Sequence, residues 1–360
     1  MGIQESNSWQ NPPHDILTEI FLRIFPIKSL LILRCVSQSW LRVISSPEFK
    51  NAHLKTSRKR LIYGSRAALH TLPLSPKSDD DPSADEVPFD FASDDEYRNG
   101  SIQIVGSCNG LVCTVSRGGG RLTVCNPSLR KYKHIHIRLP SKHRACGFGY
   151  DASNDDYKVV TNHPTMIWKC VATILKLYSF REDSWKTSNP ILGLLSSWPY
   201  VCMNGAMHWK FYYGGEDSKA AWGVVAQSLT TGNCCSVGVP ASADEFPPQM
   251  VMLGVWGKCL CVYFGNFGCM NVWVMKEYGV AESWTKVVNV PLFIGRKIHL
   301  EIVIRCIVID AEDGGVLPYV ICTNVVTYDE SFVDPSLDVV VEVEQISGWR
   351  CKKKNNKIEK

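Results

Sequence analysis

Cysteine and histidine are the residue types in this chain best suited to metal binding or covalent catalysis, and the chain has 15 cysteines and nine histidines. Cys234-Cys235 and Cys259-x-Cys261 lack the spaced Cys/His pairs that are typical of zinc sites. His134 and His136 alternate along a predicted strand with no third ligand in view. We therefore predict no metal and no cofactor, and we interpret the cysteines as small hydrophobic core residues.

Nucleophilic and phosphate-binding motifs are the next candidates for chemistry. No Gly-x-Ser-x-Gly nucleophile elbow occurs. Three glycines between Arg117 and Arg121 could cradle a phosphate, but no Lys-Ser/Thr pair follows them, and a strand is predicted next rather than a helix. A hairpin loop is the better interpretation. We predict a chain that is not an enzyme; a catalytic Cys/His pair is the alternative, which loss of an activity on Cys or His substitution would support.

Length and charge indicate two unlike domains. The chain has 360 residues and is 45% hydrophobic, enough for a folded body of more than about 250 residues. The net charge is +4, yet residues 79–97 hold nine acidic residues and no Lys or Arg, so the rest of the chain carries +13, nine more than the whole. A moderately basic body without interleaved base-stacking aromatic residues makes nucleic acid an unlikely partner.

Targeting features are sparse. The first 11 residues are polar rather than signal-like, and we find no run of the roughly 18 apolar residues that a membrane helix needs. The odd cysteine count indicates reduced thiols. We expect a cytoplasmic or nuclear location, or both, and no membrane partner. Lys352-Lys353-Lys354 could be a nuclear signal, although a solvated tail is the favoured interpretation.

Residues 12–54 predict a small helical docking unit. Apolar residues at helical spacing predict three helices, near residues 15–24, 30–36 and 39–45, with Asp15 and Ser29 as caps and Pro47 ending the third. About 40 residues this apolar are too few to bury all of their Leu and Ile side chains, so a partner surface is expected to cover the surplus.

This stretch resembles an F-box. The matching residues are Pro13, Asp15, Leu22, Arg23, Pro26, Lys28, Ser29, Leu30, Arg34, Cys35, Val36, Ser37, Trp40, Ile44 to Pro47, Phe49, His53 and Leu54. Pro12 replaces the usual leucine, and Ile24-Phe25-Pro26 has one residue more than the family pattern. The resemblance implies docking on a Skp-type adaptor, with Pro13, Ile16, Leu17, Ile20, Leu30, Leu33, Val36 and Trp40 as adaptor-binding candidates, some of which must form the F-box's own core.

Short β-like runs separated by Gly, Asn, Asp and Pro follow, for example at 102–105, 111–115, 122–125, 134–138, 157–160 and 174–180. Local patterns recur: Asn109-Gly110 returns as Asn204-Gly205 at an offset of 95, and Glu-Asp-Ser-Trp-Lys near Trp185 returns near Trp284 at an offset of 99. A four-stranded propeller blade takes about 40 to 50 residues, so this offset is two blades. We predict an all-β propeller of about six blades; a pair of β-sandwiches is the alternative.

The β body resembles the F-box-associated (FBA) domain, type 1-like, of plant F-box proteins. The residues that carry the resemblance are Gly106 to Leu111, Asn126 to Ser128, Gly147 to Asp151, Asp156 to Val160, Asn204-Gly205, Trp209, Trp273 to Val280 and Glu282 to Lys286. It implies a kelch-like propeller. The predicted domains are a disordered N-terminus at 1–11, the F-box at 12–54, the FBA domain at 55–345 with a flexible acidic loop at 75–98, and a basic tail at 346–360.

The two resemblances together imply the substrate-recognition subunit of a Skp-cullin-F-box (SCF) ubiquitin ligase. The F-box would bind the Skp adaptor and through it a cullin, and the β domain would bind an unknown protein substrate on loops at one mouth of the propeller. Our candidates for substrate contact are Arg117, Arg121, His143, Arg144, Tyr212 and Tyr213. The alternative is a stand-alone protein-binding module whose inserted Phe25 weakens or abolishes docking to the ligase.

Overall fold

The computed structural model describes residues 13–24, 27–57, 59–64, 69–73, 85–87, 102–116, 121–138, 144–168, 170–213, 221–240, 251–265, 269–291, 307–310, 315–318 and 325–335. The predicted N-terminus at 1–11 and basic tail at 346–360 lie outside these residues, as do Phe25, Arg117 and His143. Most of the acidic segment 75–98 also lies outside, although its residues 85–87 form a short strand.

Four helices open the described chain, where the sequence predicted three. They are α1 (His14–Leu22), α2 (Ile27–Leu33), α3 (Gln38–Ser45) and α4 (Pro47–Thr56). Pro47 ends α3 as predicted, but it also occupies the first position of α4, where its missing N–H costs nothing and its fixed φ suits a helix. The prediction of three helices was wrong because this second role of Pro47 was overlooked.

Serine caps fix the starts of the last two helices. Ser37 Oγ accepts a hydrogen bond from the Trp40 N–H at 3.3 Å, and Ser46 Oγ accepts one from the Phe49 N–H at 3.1 Å. Asp15 and Ser29 were wrongly predicted as caps, because α1 and α2 begin before them and place both residues inside the helix.

The remaining described elements are strands in antiparallel sheets. Their bounds are β1 (Lys59–Gly64), β2 (Leu69–Pro73), β3 (Asp85–Val87), β4 (Ile102–Cys108), β5 (Leu111–Ser116), β6 (Arg121–Asn126), β7 (Lys131–Arg138), β8 (Arg144–Asp151), β9 (Asp156–Ile167), β10 (Cys170–Ser179), β11 (Ser184–Thr187), β12 (Ile191–Leu192), β13 (Leu194–Met203), β14 (Ala206–Tyr213), β15 (Ala221–Ser228), β16 (Cys234–Val237), β17 (Val251–Trp256), β18 (Cys259–Gly265), β19 (Cys269–Met275), β20 (Trp284–Pro291), β21 (Ile307–Asp310), β22 (Gly315–Pro318) and β23 (Val325–Asp329).

These strands form five four-stranded blades of a propeller. Blade 1 has the order β23-β1-β2-β3, and blades 2 to 5 are β4–β7, β8–β11 with β12 added to β10, β13–β16 and β17–β20. The described residues hold one further sheet, the β21–β22 pair, whose first strand lies beside β17. The described chain therefore gives five four-stranded blades where about six were predicted.

From blade 1 to blade 5, the first strand of one blade faces the first strand of the next. β4 contacts β8, β8 contacts β13, β13 contacts β17, and β23 contacts β4. One joint is fixed by Tyr200, whose hydroxyl accepts from the Phe148 N–H at 3.0 Å and donates to the Phe148 carbonyl at 3.2 Å. Tyr200 therefore accepts from and donates to the backbone of the same residue, Phe148, in the neighbouring blade. This pair of hydrogen bonds fixes the register between blades 3 and 4.

The internal repeats coincide with equivalent turns two blades apart. Asn109-Gly110 joins the first two strands of blade 2 and Asn204-Gly205 those of blade 4, and all four residues have positive φ, from 50° to 78°. Asn and Gly are the residues that tolerate this backbone conformation best. The interpretation of the offset as two blades is confirmed.

The ring closes between distant parts of the chain. β1 follows the F-box helices, and it pairs antiparallel with β23, from Lys59 opposite Asp329 to Tyr63 opposite Val325. Blade 1 therefore takes its innermost strand from the C-terminal part of the chain and the other three from the N-terminal part.

The segment after β23 joins the propeller to the F-box. Phe332 is 4% exposed and packs into the helical core with Leu17, Phe21, Phe49 and their neighbours. Its ring centroid lies 6.0 Å from that of Phe49 and 5.1 Å from that of His53. We call this contact the Phe332 plug.

Asn126 holds the plug segment against blade 2. Its buried amide nitrogen donates to the Ser331 carbonyl at 2.9 Å and to the Val333 carbonyl at 2.8 Å, while its oxygen accepts from the Ser128 N–H at 2.9 Å. Lys131 adds an ion pair to Asp334 at 2.6 Å. The segment that carries the plug is thus fixed at both ends of Phe332.

The strand directions define two faces of the propeller. The turn face holds the turns after the first and third strands of each blade, including the β6–β7 turn, and Leu129 of that turn packs against the F-box core. The hairpin face holds the ends where the second strand of a blade turns into the third, such as the β9–β10 hairpin. Because β1 begins and β23 ends at the turn face, the F-box lies there, opposite the hairpin face.

Phe332→Ala should destabilise the chain by about 3 kcal/mol, the usual cost of removing a buried aromatic side chain. Urea unfolding measures this change, and limited proteolysis between α4 and β1 should become faster because the F-box loses its anchor. The control is Val287→Ala, at a side chain that is 44% exposed. Equal stability of the two variants would contradict a role for the plug.

His53 should make stability fall in acid. It is fully buried, and burial lowers the pKa of its imidazole below the ordinary 6.5. Below about pH 6.5 the unfolded chain takes up a proton that the folded chain excludes, so stability drops by about 1.4 kcal/mol per pH unit until the folded pKa is reached. His53→Leu should flatten this slope in urea titrations between pH 7.5 and 5, whereas His70→Gln, at a partly exposed site, should leave it unchanged. The hypothesis fails if the His53 variant keeps the full slope.

Candidate functional site

Two rows of apolar side chains on the F-box point away from its core. Ile16 and Ile20 on α1 are 52% and 48% exposed, Ile32 on α2 is 57% exposed, and Val36, in the turn after α2, is 59% exposed. Ile16 and Ile20 are four residues apart on one helix, which places them on the same side of α1. We call these four residues the F-box apolar rows; they are the surplus that this small core does not bury.

The eight predicted adaptor-binding residues divide into two groups. Pro13, Ile16, Ile20 and Val36 are exposed and available to a partner. Leu17 and Leu30 are buried in the F-box core, and Leu33 and Trp40 pack against it, with the Trp40 ring centroid 5.3 Å from that of Phe21. Leu17 and Leu30 are thus among the candidates that form the F-box's own core, and the exposed candidates are the ones that a partner could contact.

Ile32 is the residue that the sequence argument missed. It precedes the predicted Val36 by four residues, so the helical spacing that selected Ile16 and Ile20 also pointed to it. It was overlooked because α2 is apolar on nearly all sides, and such a helix gives no contrast between its buried and exposed faces.

Four of the predicted substrate-contact residues lie among the described residues, at the hairpin face but in different blades. Arg121 begins β6 in blade 2, Arg144 begins β8 in blade 3, and Tyr212 and Tyr213 end β14 in blade 4. Tyr213 is 47% exposed. The structure describes the backbone of Arg144 and not its side chain. The described candidates thus share one face but do not form a single cluster.

Tyr212 belongs to the structure of blade 4 more than to its surface. Lys210 Nζ lies 5.0 Å from the centre of the Tyr212 ring and donates to the Val251 carbonyl of blade 5 at 2.5 Å. Burial lowers the pKa of this lysine to about 8 and raises the pKa of Tyr212. Tyr212 therefore helps to hold a buried cation, while Tyr213 is the tyrosine accessible from outside.

The cysteines fall into two classes. Cys113, Cys125 and Cys261 are buried, and burial raises the pKa of each thiol, to about 12 for Cys261, which makes them poor nucleophiles. The interpretation as core residues is confirmed for these three. It was wrong for Cys35, Cys170 and Cys235, which are exposed.

Metal and membrane sites can be assessed only for the described part of the chain. There, no group of three or more His, Cys, Asp or Glu side chains lies close enough to hold a metal ion. His134, one of the two strand histidines, instead shares a 2.8 Å hydrogen bond with Thr123 Oγ1. In the same residues no helix has the length and apolar character to cross a membrane.

Comparison with known families divides the chain as the fold does. The F-box domain matches residues 13–52, and the F-box associated beta propeller domain matches residues 62–343. The first contains the F-box apolar rows, and the second contains all five four-stranded blades apart from the start of β1.

Curated relatives with the same combination occur in Arabidopsis thaliana. The F-box/kelch-repeat protein At3g23880 is 28% identical over 80% of this chain and 82% of its own length, and the F-box protein CPR1 is 28% identical over 77% and 72%. The putative F-box protein At3g47150 is 32% identical over 76% and 74%. With both domain matches in order along its length, this chain belongs to the family of F-box proteins that carry a C-terminal F-box associated beta propeller domain.

Proposed function

We propose that this protein is the substrate-recognition subunit of an SCF-type ubiquitin ligase. In this proposal the F-box binds a Skp-type adaptor and through it a cullin, while the propeller binds a protein substrate. The family supports the general role, because an F-box implies a Skp-type partner. The protein would act as a non-catalytic scaffold, in the cytoplasm, the nucleus or both.

The F-box apolar rows are the observation that carries the proposal. Ile16, Ile20, Ile32 and Val36 are each about half exposed in a domain whose core is otherwise closed by the Phe332 plug. The propeller already covers the other side of the helices, so it is not available to cover these rows. Burying them against an adaptor would remove apolar surface from water at about 25 cal/mol per Å².

The mechanism requires no bond chemistry from this chain. A bound substrate is held near the ubiquitin-charged E2 enzyme on the same complex, which raises the effective concentration of substrate lysines there. The Phe332 plug would keep the F-box and the propeller in a fixed relation, so that a substrate on the hairpin face is presented in one orientation. A rigid link whose geometry matches the span gives a higher effective concentration than a flexible one.

Two finer features of the fold belong to the same proposal. We infer a kelch-like propeller, which agrees with the name of the relative F-box/kelch-repeat protein At3g23880. We also infer that the β21–β22 pair, with its first strand beside β17, is part of a sixth blade.

The test is a pull-down of the purified full-length protein with a purified Skp-type adaptor. An Ile16→Asp/Ile20→Asp double variant should lose at least ten-fold in adaptor affinity, because two charges would be buried without partners at the interface. Both side chains are exposed, so the fold should remain intact. Leu17→Ala is unsuitable, since it would create a cavity in the F-box core.

A matched control is Val255→Asp, which places a charge at a side chain that is 40% exposed on β17 of the propeller. It should bind the adaptor as the unmodified protein does. If the folded unmodified protein fails to bind any Skp-type adaptor, the ligase proposal is wrong, and the chain would act as a stand-alone binding module.

A further inference from the structure

Residues 325–334 contact three separate parts of the protein, and we call them the strap. The first part of the strap is β23, which pairs with β1 of blade 1. The carbonyls of Ser331 and Val333 then accept hydrogen bonds from Asn126 of blade 2, and Phe332 lies in the F-box core. One run of ten residues therefore links blade 1, blade 2 and the F-box.

Blade 2 fits closely against the backbone of the strap. A Cβ atom on Gly110, in the β4–β5 turn, would lie 2.0 Å from Ser331 Oγ and 2.5 Å from the Asp329 carbonyl oxygen. Ser331 is fully buried. A Cβ atom on the equivalent Gly205 of blade 4 would have no described atom within 4 Å other than its chain neighbours. The turn of blade 2 is therefore a seat for the strap.

Contacts between aromatic rings lead from the strap to α1. The ring centroid of Phe332 lies 6.0 Å from that of Phe49 on α4, which lies 6.5 Å from that of Phe21 on α1. The Phe21 ring in turn lies 5.3 Å from the ring of Trp40 on α3. Because a closely packed core transmits a change of volume to its neighbours, a gap at Phe332 should disturb the packing of α1.

The helix α1 carries both core residues and residues that face the proposed adaptor. Leu17 and Phe21 are buried, whereas Ile16 and Ile20 are about half exposed. The helix has nine residues, and isolated helices shorter than about 12 to 15 residues are only marginally stable in water. Its order therefore depends on its packing against α3 and α4. The placement of Ile16 and Ile20 thus depends on the core that Phe332 completes.

We propose that the strap couples closure of the propeller to adaptor binding. The F-box has its full affinity for a Skp-type adaptor only while the strap is seated on blade 2 and Phe332 lies in the F-box core. This rests on the ligase function proposed above and names a regulation of its adaptor site. Coupling free energies are reciprocal, so a bound adaptor also stabilises the seated strap and the closed ring. A chain whose ring is open therefore binds the adaptor weakly.

The first experiment measures adaptor affinity by isothermal titration calorimetry, at a temperature where circular dichroism shows every variant to be folded. Phe332→Ala should bind a purified Skp-type adaptor about ten-fold more weakly than the unmodified full-length protein, within the usual range of coupling between sites. Phe332→Leu, which refills most of the cavity, should lose about three-fold or less. Phe332 is 4% exposed, so the folded chain does not present it to the adaptor and the loss must be transmitted through the helices.

Asn126→Asp tests the seat on blade 2 without changing the F-box. The carboxylate can still accept from the Ser128 N–H, but it cannot donate to the carbonyls of Ser331 and Val333. The strap should therefore be loosened while the turn after Asn126 is kept. Adaptor affinity should fall by about three-fold or more, although Asn126 lies in the propeller and is fully buried.

The matched control is Phe264→Ala. Phe264 is fully buried, and its core is formed by residues of blades 4 and 5. This variant loses the same side-chain atoms as Phe332→Ala and should lower the melting temperature to a similar extent. Its adaptor affinity should stay within about two-fold of that of the unmodified protein, because effects at separate sites are independent.

The second experiment is hydrogen exchange measured by mass spectrometry. In the absence of adaptor, the amides of α1 should exchange about ten-fold faster in Phe332→Ala and Asn126→Asp, because local opening becomes easier. They should exchange at the unmodified rate in Phe264→Ala. When the unmodified protein binds the adaptor, the amides of β1 and β23 should exchange more slowly, as reciprocal coupling requires.

Three outcomes would overturn the inference: Phe332→Ala binds the adaptor as tightly as the unmodified protein, Phe264→Ala loses as much affinity as Phe332→Ala, or α1 exchanges equally fast in the free unmodified protein and Phe332→Ala. If the first outcome occurs while the adaptor binds, the coupling is wrong and the ligase function stands. If the unmodified protein binds no Skp-type adaptor, the ligase function fails, and hydrogen exchange of the free variants alone decides whether the strap controls α1.

Discussion

Phe332 lies in the core of a domain that was built about 280 residues earlier in the chain, and this contact determines how the two domains are related. The same short stretch first pairs as β23 with β1 and so closes the propeller ring, and then inserts its aromatic side chain among the F-box helices. Closing a loop of that length costs entropy that must be offset by the contacts formed. The strand ladder, the Asn126 hydrogen bonds and the burial of Phe332 offset it together, so ring closure and F-box attachment are expected to be cooperative.

The position of the plug also determines what each surface can do. Because it enters the F-box from the turn face, the helices are covered on that side and exposed on the side of Ile16 and Ile20. The hairpin face is left clear of the F-box. A scaffold that must hold two partners at once needs such a separation, since partners on the same face would exclude each other. The antiparallel path of the chain supplies the separation without a linker, as α4 leads almost directly into β1.

The sequence predicted features that depend on local chemistry and failed on those that depend on distant contacts. Asn109-Gly110 and Asn204-Gly205 identified equivalent turns because positive φ requires particular residue types. Pro47 was assigned half of its role, since proline both ends one helix and begins another. Phe332 gave no sequence signal, because an isolated phenylalanine has no periodicity to reveal which core it joins. The sequence likewise could not show that Leu17 is buried while Ile16 is exposed, because this depends on how α1 packs on its neighbours.

Positive φ falls mostly, though not always, on residue types that tolerate it. At the turn face, positive φ falls on Asn109, Asp155, Asp183 and Asn204, whose short polar side chains relieve the strain, and also on Arg130. At the hairpin face the same backbone conformation falls on the most exposed large apolar residue of the described chain. Leu129 of the turn face packs against the F-box core, whereas Trp168 at the hairpin face is 94% exposed. Packing among the described residues therefore does not offset the backbone strain at Trp168, and residue type alone does not predict where positive φ falls.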